Sequence, residues 1–349
     1  IDGGSGDLMY TGAATGDGNL AANSTTSRSM WLQGDWSGFT GEIEFTVNTN
    51  GTNYRLGGAP GSTSANDGTN GSDFSQATFV LSGGGTNRGL SWNGAQGATV
   101  QVGTLSGTGG RIITGASGRD ANWEIGGLNA DSSTAVVITG PGTSLTKVGT
   151  GTLTLNGSSS YGDGTTVNAG TLDLDATSAI GTGSLTIAAG ASVNSLRAFA
   201  ISTDGAAAGR VVNVAGSLSM VDTEYVETYN LTAGLITAPV SGNRYLRAPN
   251  VGLSINSLAA DASSEITGQV DLTFNSATLD VADGTAADDL VISGNISQNQ
   301  GGGGGDKSLT KTGAGTLLLS GTNSYTGGTF INAGLVKAGS SRALGAENT

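Results

Sequence analysis

The chain of 349 residues contains no cysteine and no histidine. Without cysteine there is no disulfide framework and no thiolate metal site. Without histidine there are no imidazole metal ligands, no His-based catalytic triad and no ready general base near neutral pH. Basic residues are also scarce: 14 Lys and Arg stand against 27 Asp and Glu, a net charge of −13. Binding to polyanions requires clustered cations, so nucleic acids and anionic lipid surfaces are poor partners. No apolar run approaches the roughly 18–20 residues that a membrane-spanning helix needs. The chain opens at Ile1 without a Met or a signal peptide and reads as a mature or excised segment.

Aromatic residues make up only 5% of the chain and hydrophobic residues 36%, while glycine alone contributes 62. Scattered apolar residues at that level would mean disorder. Here they recur in strand-sized runs. In 31–48, Ile43, Phe45 and Val47 alternate with Glu42, Glu44 and Thr46, the period-two mark of a half-buried strand. Residues 57–75 read as a long polar loop, and 78–81 as a resumed strand. From 98 to 140 a series of short β-prone runs each ends at Gly. No sustained helical period occurs, and the Ala-rich pieces are broken by Gly or Asp before reaching a stable helix length.

One stretch is written twice. Residues 144–174 and 308–338 are identical at 17 of 31 aligned positions. Both copies are apolar at Leu153/Leu317, Leu155/Leu319, Val167/Ile331 and Leu172/Val336. Their neighbours change freely, as in Thr154/Leu318, Thr171/Leu335 and Asp173/Lys337. Taking one apolar strand centre per turn gives Leu153, Leu172, Val193, Val212, Leu231, Leu253, Leu272, Ile292, Leu317 and Val336, a spacing near 20 with one long step across the glycines at 301–305. Short strands at that period predict an all-β chain folded as a parallel β-helix, an elongated β-solenoid of about 20 residues per coil. Residues 1–97 are expected to form N-terminal coils or a cap with the long loop, and 98–349 the β-helix carrying both repeats.

The pattern L-T-K-x-G-x-G-T-L-x-L-x-G-x-x-S-Y-x-x-G-T-x-(Val/Ile)-N-A-G in both copies resembles the passenger-associated repeat of bacterial autotransporters and related surface proteins. The resemblance implies a right-handed parallel β-helix that is extracellular or exposed on the bacterial cell surface, used as an adhesin, stalk or display scaffold. No C-terminal region of alternating strands with aromatic girdles follows, so an outer-membrane barrel has been removed or another export route is used.

Parallel β-helices also include polysaccharide-acting enzymes. Asp288-Asp289 is the adjacent acidic pair, and its position at a turn-to-strand junction reads as a solvated corner with Asp capping turn amides. Asp173 and Asp175 share an outward face, and Asp173 is replaced by Lys337 in the other copy. The chain is therefore read as non-enzymatic and without a cofactor. Asp67, Asn70 and Asp73 offer oxygen ligands in a Gly-rich loop, a calcium candidate that lacks the tandem neighbour such repeats require. All four Trp, at 31, 36, 92 and 123, fall early in the chain. Exposed, they would stack on sugar rings; buried, they fill coils or cap the helix, the reading that large aromatics favour.

Tyr225, Tyr229, Arg244, Tyr245 and Arg247 form a second cluster outside the repeat and are the candidate partner contact, since Tyr and Arg are enriched in interface hot spots. Homo-oligomeric contacts, end to end or lateral, are expected wherever strand edges stay unpaired. Surface glycans are the alternative partner. The function expected is structural, as a stalk, display scaffold or self-assembling fibre subunit, with an adhesin or glycan-binding module second and a polysaccharide-acting enzyme third.

Overall fold

The computed structural model describes residues 8–23, 29–47, 53–57, 71–83, 89–114, 118–202, 209–239, 246–248, 251–272, 274–298 and 305–346. Among them the chain is all-β: short strands, no α-helix, and parallel pairing from coil to coil, as a β-solenoid requires. Two compact units divide the chain, Ile1–Gly183 and Ser184–Thr349.

In the first unit, one parallel sheet stacks Leu8–Tyr10, Ser29–Leu32, Asn53–Leu56, Leu90–Trp92, Arg111–Ile113 and Val137–Ile138. A second runs through Leu20–Asn23, Glu42–Thr46, Gly71–Ser82, Ala98–Ser106, Ala121–Ile125, Ser144–Lys147 and Thr165–Val167. A third stacks Ser132–Thr134, Thr152–Leu155 and Thr171–Leu174. In the second unit the faces are Leu185–Ile187 through Thr329–Ile331, Ser192–Ser195 through Leu335–Ala338, and a short four-stranded sheet of Glu224–Tyr225, Leu246–Arg247, Val270–Asp271 and Ile296–Ser297.

Alternation sets which side chains enter. Ile43, Phe45 and Val47 are buried, and Glu42, Glu44 and Thr46 sit on the outer face, as their period demands. In the first repeat Leu153 stacks on Leu172 and Leu155 on Leu174, all four fully buried. Each such side chain contributes roughly 1.5–3 kcal/mol by leaving water.

Two expectations change. The strand Gly71–Ser82 begins inside the stretch read as loop, because Phe74 is drawn into the core opposite Val102 and beside Trp36, ring centroids 5.5 Å apart. The regular series of strand centres also switches face. Val193 stacks on Leu218, whereas Val212 belongs to another sheet and stacks on Leu185 and Tyr229. Coils of 19 residues hold within both repeats, as for Leu153 on Leu172 and Leu317 on Val336, but Ile236 stacks on Ile266, 30 residues on. Insertions at the corners lengthen coils without disturbing the stacked strands, so a count along the sequence slips between faces.

The corner glycines of the repeat carry two demands at once. Gly149, Gly170, Gly313 and Gly334 all have φ between 64° and 74°, the left-handed region. A methyl group at Gly149 would also collide with the Gly126 carbonyl of the preceding coil, and one at Gly170 would meet the Gly149 and Gly151 carbonyl oxygens at 2.5 Å. Gly190 has φ of 79° and open space around it. Gly170→Ala is therefore expected to lower stability by about 2–4 kcal/mol, and Gly190→Ala by only about 1–2 kcal/mol, measured by denaturant unfolding of each variant.

Candidate contact surfaces and buried charges

The segment singled out for its tyrosines and arginines is split by the fold. Tyr225 and Arg247 are direct partners in the short parallel sheet, so two residues 22 apart in sequence become neighbours on an outer corner. The Phe199 ring lies 5.1 Å from that of Tyr225. The Arg247 guanidinium lies 4.8 Å from the Phe274 ring centroid and 5.9 Å from that of Tyr225. Its Nε donates to Asp271 Oδ2 at 2.7 Å, which fixes the plane of the guanidinium between the two rings. Phe274 remains 39% exposed.

Tyr229, by contrast, is fully buried in the sheet between Val212 and Ile255, and so belongs to the core and not to a contact surface. Its phenol is pushed well up in pKa by burial, then by the charge of Glu224, and so stays neutral. Arg244 and Tyr245 lie outside the described residues, as do Asp67 and Asn70 of the calcium candidate. Asp73 is exposed and accepts a hydrogen bond from the Ser75 amide at 2.9 Å. Among the described residues, no three Asp or Glu side chains are grouped closely enough to hold a metal ion.

All four tryptophans are buried, none more than 4% exposed. Trp92 and Trp123 fill the interior, and Trp36 joins Tyr10, Phe39 and Phe74 in one aromatic cluster. This agrees with their reading as core or cap.

The acidic pair does not form a catalytic dyad. Asp288 is tied to Lys337 Nζ at 2.7 Å on the surface. Asp289 caps turn amides as expected, accepting from Gly284 N at 2.8 Å and Thr316 N at 2.7 Å, yet it is 4% exposed and not solvated. It has to be buried because it joins the corners of two successive coils. Neither carboxylate presents a free acid or base.

The charged residues that sequence reasoning missed are buried ones. Lys147 and Lys311 occupy corresponding positions in the two repeats, and both side chains are inside. Lys147 Nζ donates to the carbonyls of Val148 at 2.7 Å, Gly149 at 2.8 Å and Ala169 at 3.2 Å. Lys311 Nζ donates to Thr312 at 2.6 Å, Gly313 at 2.7 Å and Ala333 at 3.2 Å. An ammonium has three donors and all three are used, two on its own corner and one on the next coil. Burial pushes both groups below the ordinary lysine range, with Asp131 opposing at Lys147 and Asp280 and Asp289 at Lys311. The signal was present in the sequence: the residue is identical in both copies and shares the parity of the inward Leu145 and Leu309.

Glu224 carries no such signal. It sits in an inward slot opposite Leu246, fully buried. Ser195 Oγ donates to it at 2.6 Å, the amides of Ala200, Ile201 and Ser202 at 2.9–3.2 Å, and Ser202 Oγ at 3.0 Å. Phe199, at a φ of 56°, turns the loop so that three successive N–H groups converge, a nest for an anion. Burial pushes the carboxyl above the ordinary glutamate range, and these donors pull against it.

The passenger-associated-transport-repeat family model matches residues 145–174 and 309–340. Over 115 residues, 33% of this chain, the sequence is 38% identical to the protein named adhesin BmaC autotransporter of Brucella suis biovar 1 (strain 1330). The match spans 3% of that protein's length. No helix among the described residues is long and apolar enough to cross a membrane.

Lys147→Met, which keeps the stem and removes the three donors, is expected to lower stability by about 2–4 kcal/mol in denaturant unfolding. Glu224→Gln sets an amide NH2 against backbone donors and is expected to lower stability by a similar ~2–4 kcal/mol. With its folded pKa raised, Glu224 contributes stability that is fully present below the ordinary glutamate pKa and is lost as pH rises through the folded value. Wild type should therefore show a fall in stability above about pH 4.5 that the Gln variant lacks, read from unfolding curves across pH.

Proposed function

We propose that this autotransporter passenger-repeat protein, which works at the bacterial cell surface or outside the cell, is a non-enzymatic structural passenger, a stalk or display scaffold. The observation that supports this most is what the two repeats keep. Their buried leucines, Leu145, Leu153 and Leu155 against Leu309, Leu317 and Leu319, the corner glycines, the buried lysine and the Tyr161–Thr165 and Tyr325–Thr329 hydrogen bonds, both 2.6 Å, recur. Their outward residues change in size and charge, as in Asp173 and Lys337. A catalytic surface would hold its outward chemistry and let the scaffold drift.

An adhesive role for the same surface is the second reading, favoured by the similarity to an adhesin autotransporter. In that reading the repeats present a contact region and do not form it. The Phe199, Tyr225, Arg247 and Phe274 corner is one part of the second unit whose chemistry suits a partner.

Immunogold negative-stain microscopy of native cells, with an antibody to the chain, is expected to label surface projections. Incubation of the purified chain with a panel of polysaccharides is expected to release no new reducing ends. Label confined to the cell interior would overturn the surface role. Release of reducing ends that disappears in an Asp288→Asn, Asp289→Asn variant would overturn the non-enzymatic one.

A further inference from the structure

Exposed apolar side chains are scarce in the second unit, and most of them lie together. Ahead of residue 329, five large apolar residues among those described are exposed: Leu196, Val221, Val251, Leu258 and Phe274. All but Leu258 border the face that carries the short sheet of Glu224–Tyr225, Leu246–Arg247, Val270–Asp271 and Ile296–Ser297. Leu196 and Val221 are neighbours at the corner leading to that face, where Val221 N donates to Ser195 O at 3.0 Å. From there the half-buried Phe199, Tyr225 and Arg247 run on, in ring and guanidinium contacts, to Phe274. Val251 lies at the corner leaving the face, in the coil next to Phe274, since Leu253 pairs with Ala277. The flank therefore has two ends, one aliphatic with Leu196 and Val221, the other formed by Phe274 and Val251.

We propose that this apolar flank is a self-association surface, which pairs with the same flank of a second copy about a two-fold axis. The chemistry left open on it decides the kind of partner. Arg247 Nε donates to Asp271 Oδ2 at 2.7 Å, and Arg197, at the entering corner, is engaged as well. A polyanion therefore finds no free cation on the flank, and what stays open is aliphatic and aromatic, the chemistry of protein contacts. Side chains only 37–44% exposed make an area well below the roughly 800 Å² per partner of a stable complex. A contact that small is populated only by a partner at high local concentration, and copies displayed side by side on one cell surface are such a partner. The two ends are also complementary. Turning one copy about an axis through the Tyr225–Arg247 pair sets the Leu196 and Val221 end of each against the Phe274 and Val251 end of the other. Such a contact is isologous and closed.

The inference rests on the adhesive reading of this corner and deepens it by naming the partner. It is tested by sedimentation velocity of the whole chain over about 5–500 µM, the range a micromolar contact requires. The weight-average sedimentation coefficient is expected to rise with concentration. Added salt should strengthen the dimer, because it screens the repulsion between copies of net charge −13, whereas a contact made by ion pairs would weaken. Leu196→Lys and Phe274→Asp should each weaken the dimer about tenfold or more, with far-UV circular dichroism unchanged. Leu258→Lys, an equally exposed change away from the flank, should leave it intact. An equimolar mixture of the Leu196→Lys and Phe274→Asp chains should recover the dimer, since one end then pairs Lys with Asp and the other is native. If Phe274→Asp alters the dichroism, Val251→Asp takes its place at the same end. A chain monomeric throughout, a dimer that these variants leave intact, equal loss in Leu258→Lys, or no recovery in the mixture would overturn the self-contact. The labelling of native cells decides the surface role separately from all four outcomes.

Discussion

A parallel coil can hydrogen-bond its strands to the coils above and below, and some corner amides continue that ladder, as Gly162 N does to Gly140 O at 3.0 Å, but other corner N–H and C=O groups need side-chain partners. Buried groups of that kind cost about 1–3 kcal/mol each when unpaired. Several buried polar residues among those described answer that problem. Lys147 and Lys311 collect three corner carbonyls apiece. Asp131 and Asp289 cap the amides of Thr152 and Thr316, the same position in the two repeats. Ser159 and Asn323, again equivalent, each accept from an amide of the preceding coil, Ile138 and Ile296. Glu224 gathers the amides of a whole loop.

This constraint explains why the repeat is conservative inside and permissive outside. An inward position must fit the stack, and a corner position must either vanish, as Gly170 does, or supply a hydrogen bond. Outward positions face neither demand. Thr154 and Leu318 are equally compatible with the strands that carry them, since the adjacent Leu153 and Leu155, or Leu317 and Leu319, hold the core. The pattern lapses at the corner where Tyr225 and Arg247 come into register.

Much of the architecture was legible because period-two alternation and corner glycine are local signals. Ile43, Phe45 and Val47 and the paired leucines of both repeats follow from residue type and parity, and the burial of all four tryptophans from their size, since Trp31 and Trp92 lie in strands buried at successive residues. Coil length was not, because a corner accepts insertions without changing the strands, and Ile236 could meet Ile266 after 30 residues. The candidate contact residues are divided by the fold. Tyr225 and Arg247 were named on type, but Tyr229, four residues from Tyr225, turned inward on a neighbouring sheet, a difference decided by which face the chain had reached.

The sequence alone therefore determined the fold class, the doubled cassette and the absence of histidine and thiol chemistry. Those properties depend on residue identity and short-range period. Only the tertiary structure decided which charges are buried, which distant corners share a hydrogen bond and which tyrosines turn inward. Each of these depends on which coil lies against which, and no local pattern encodes that stacking once corner lengths vary.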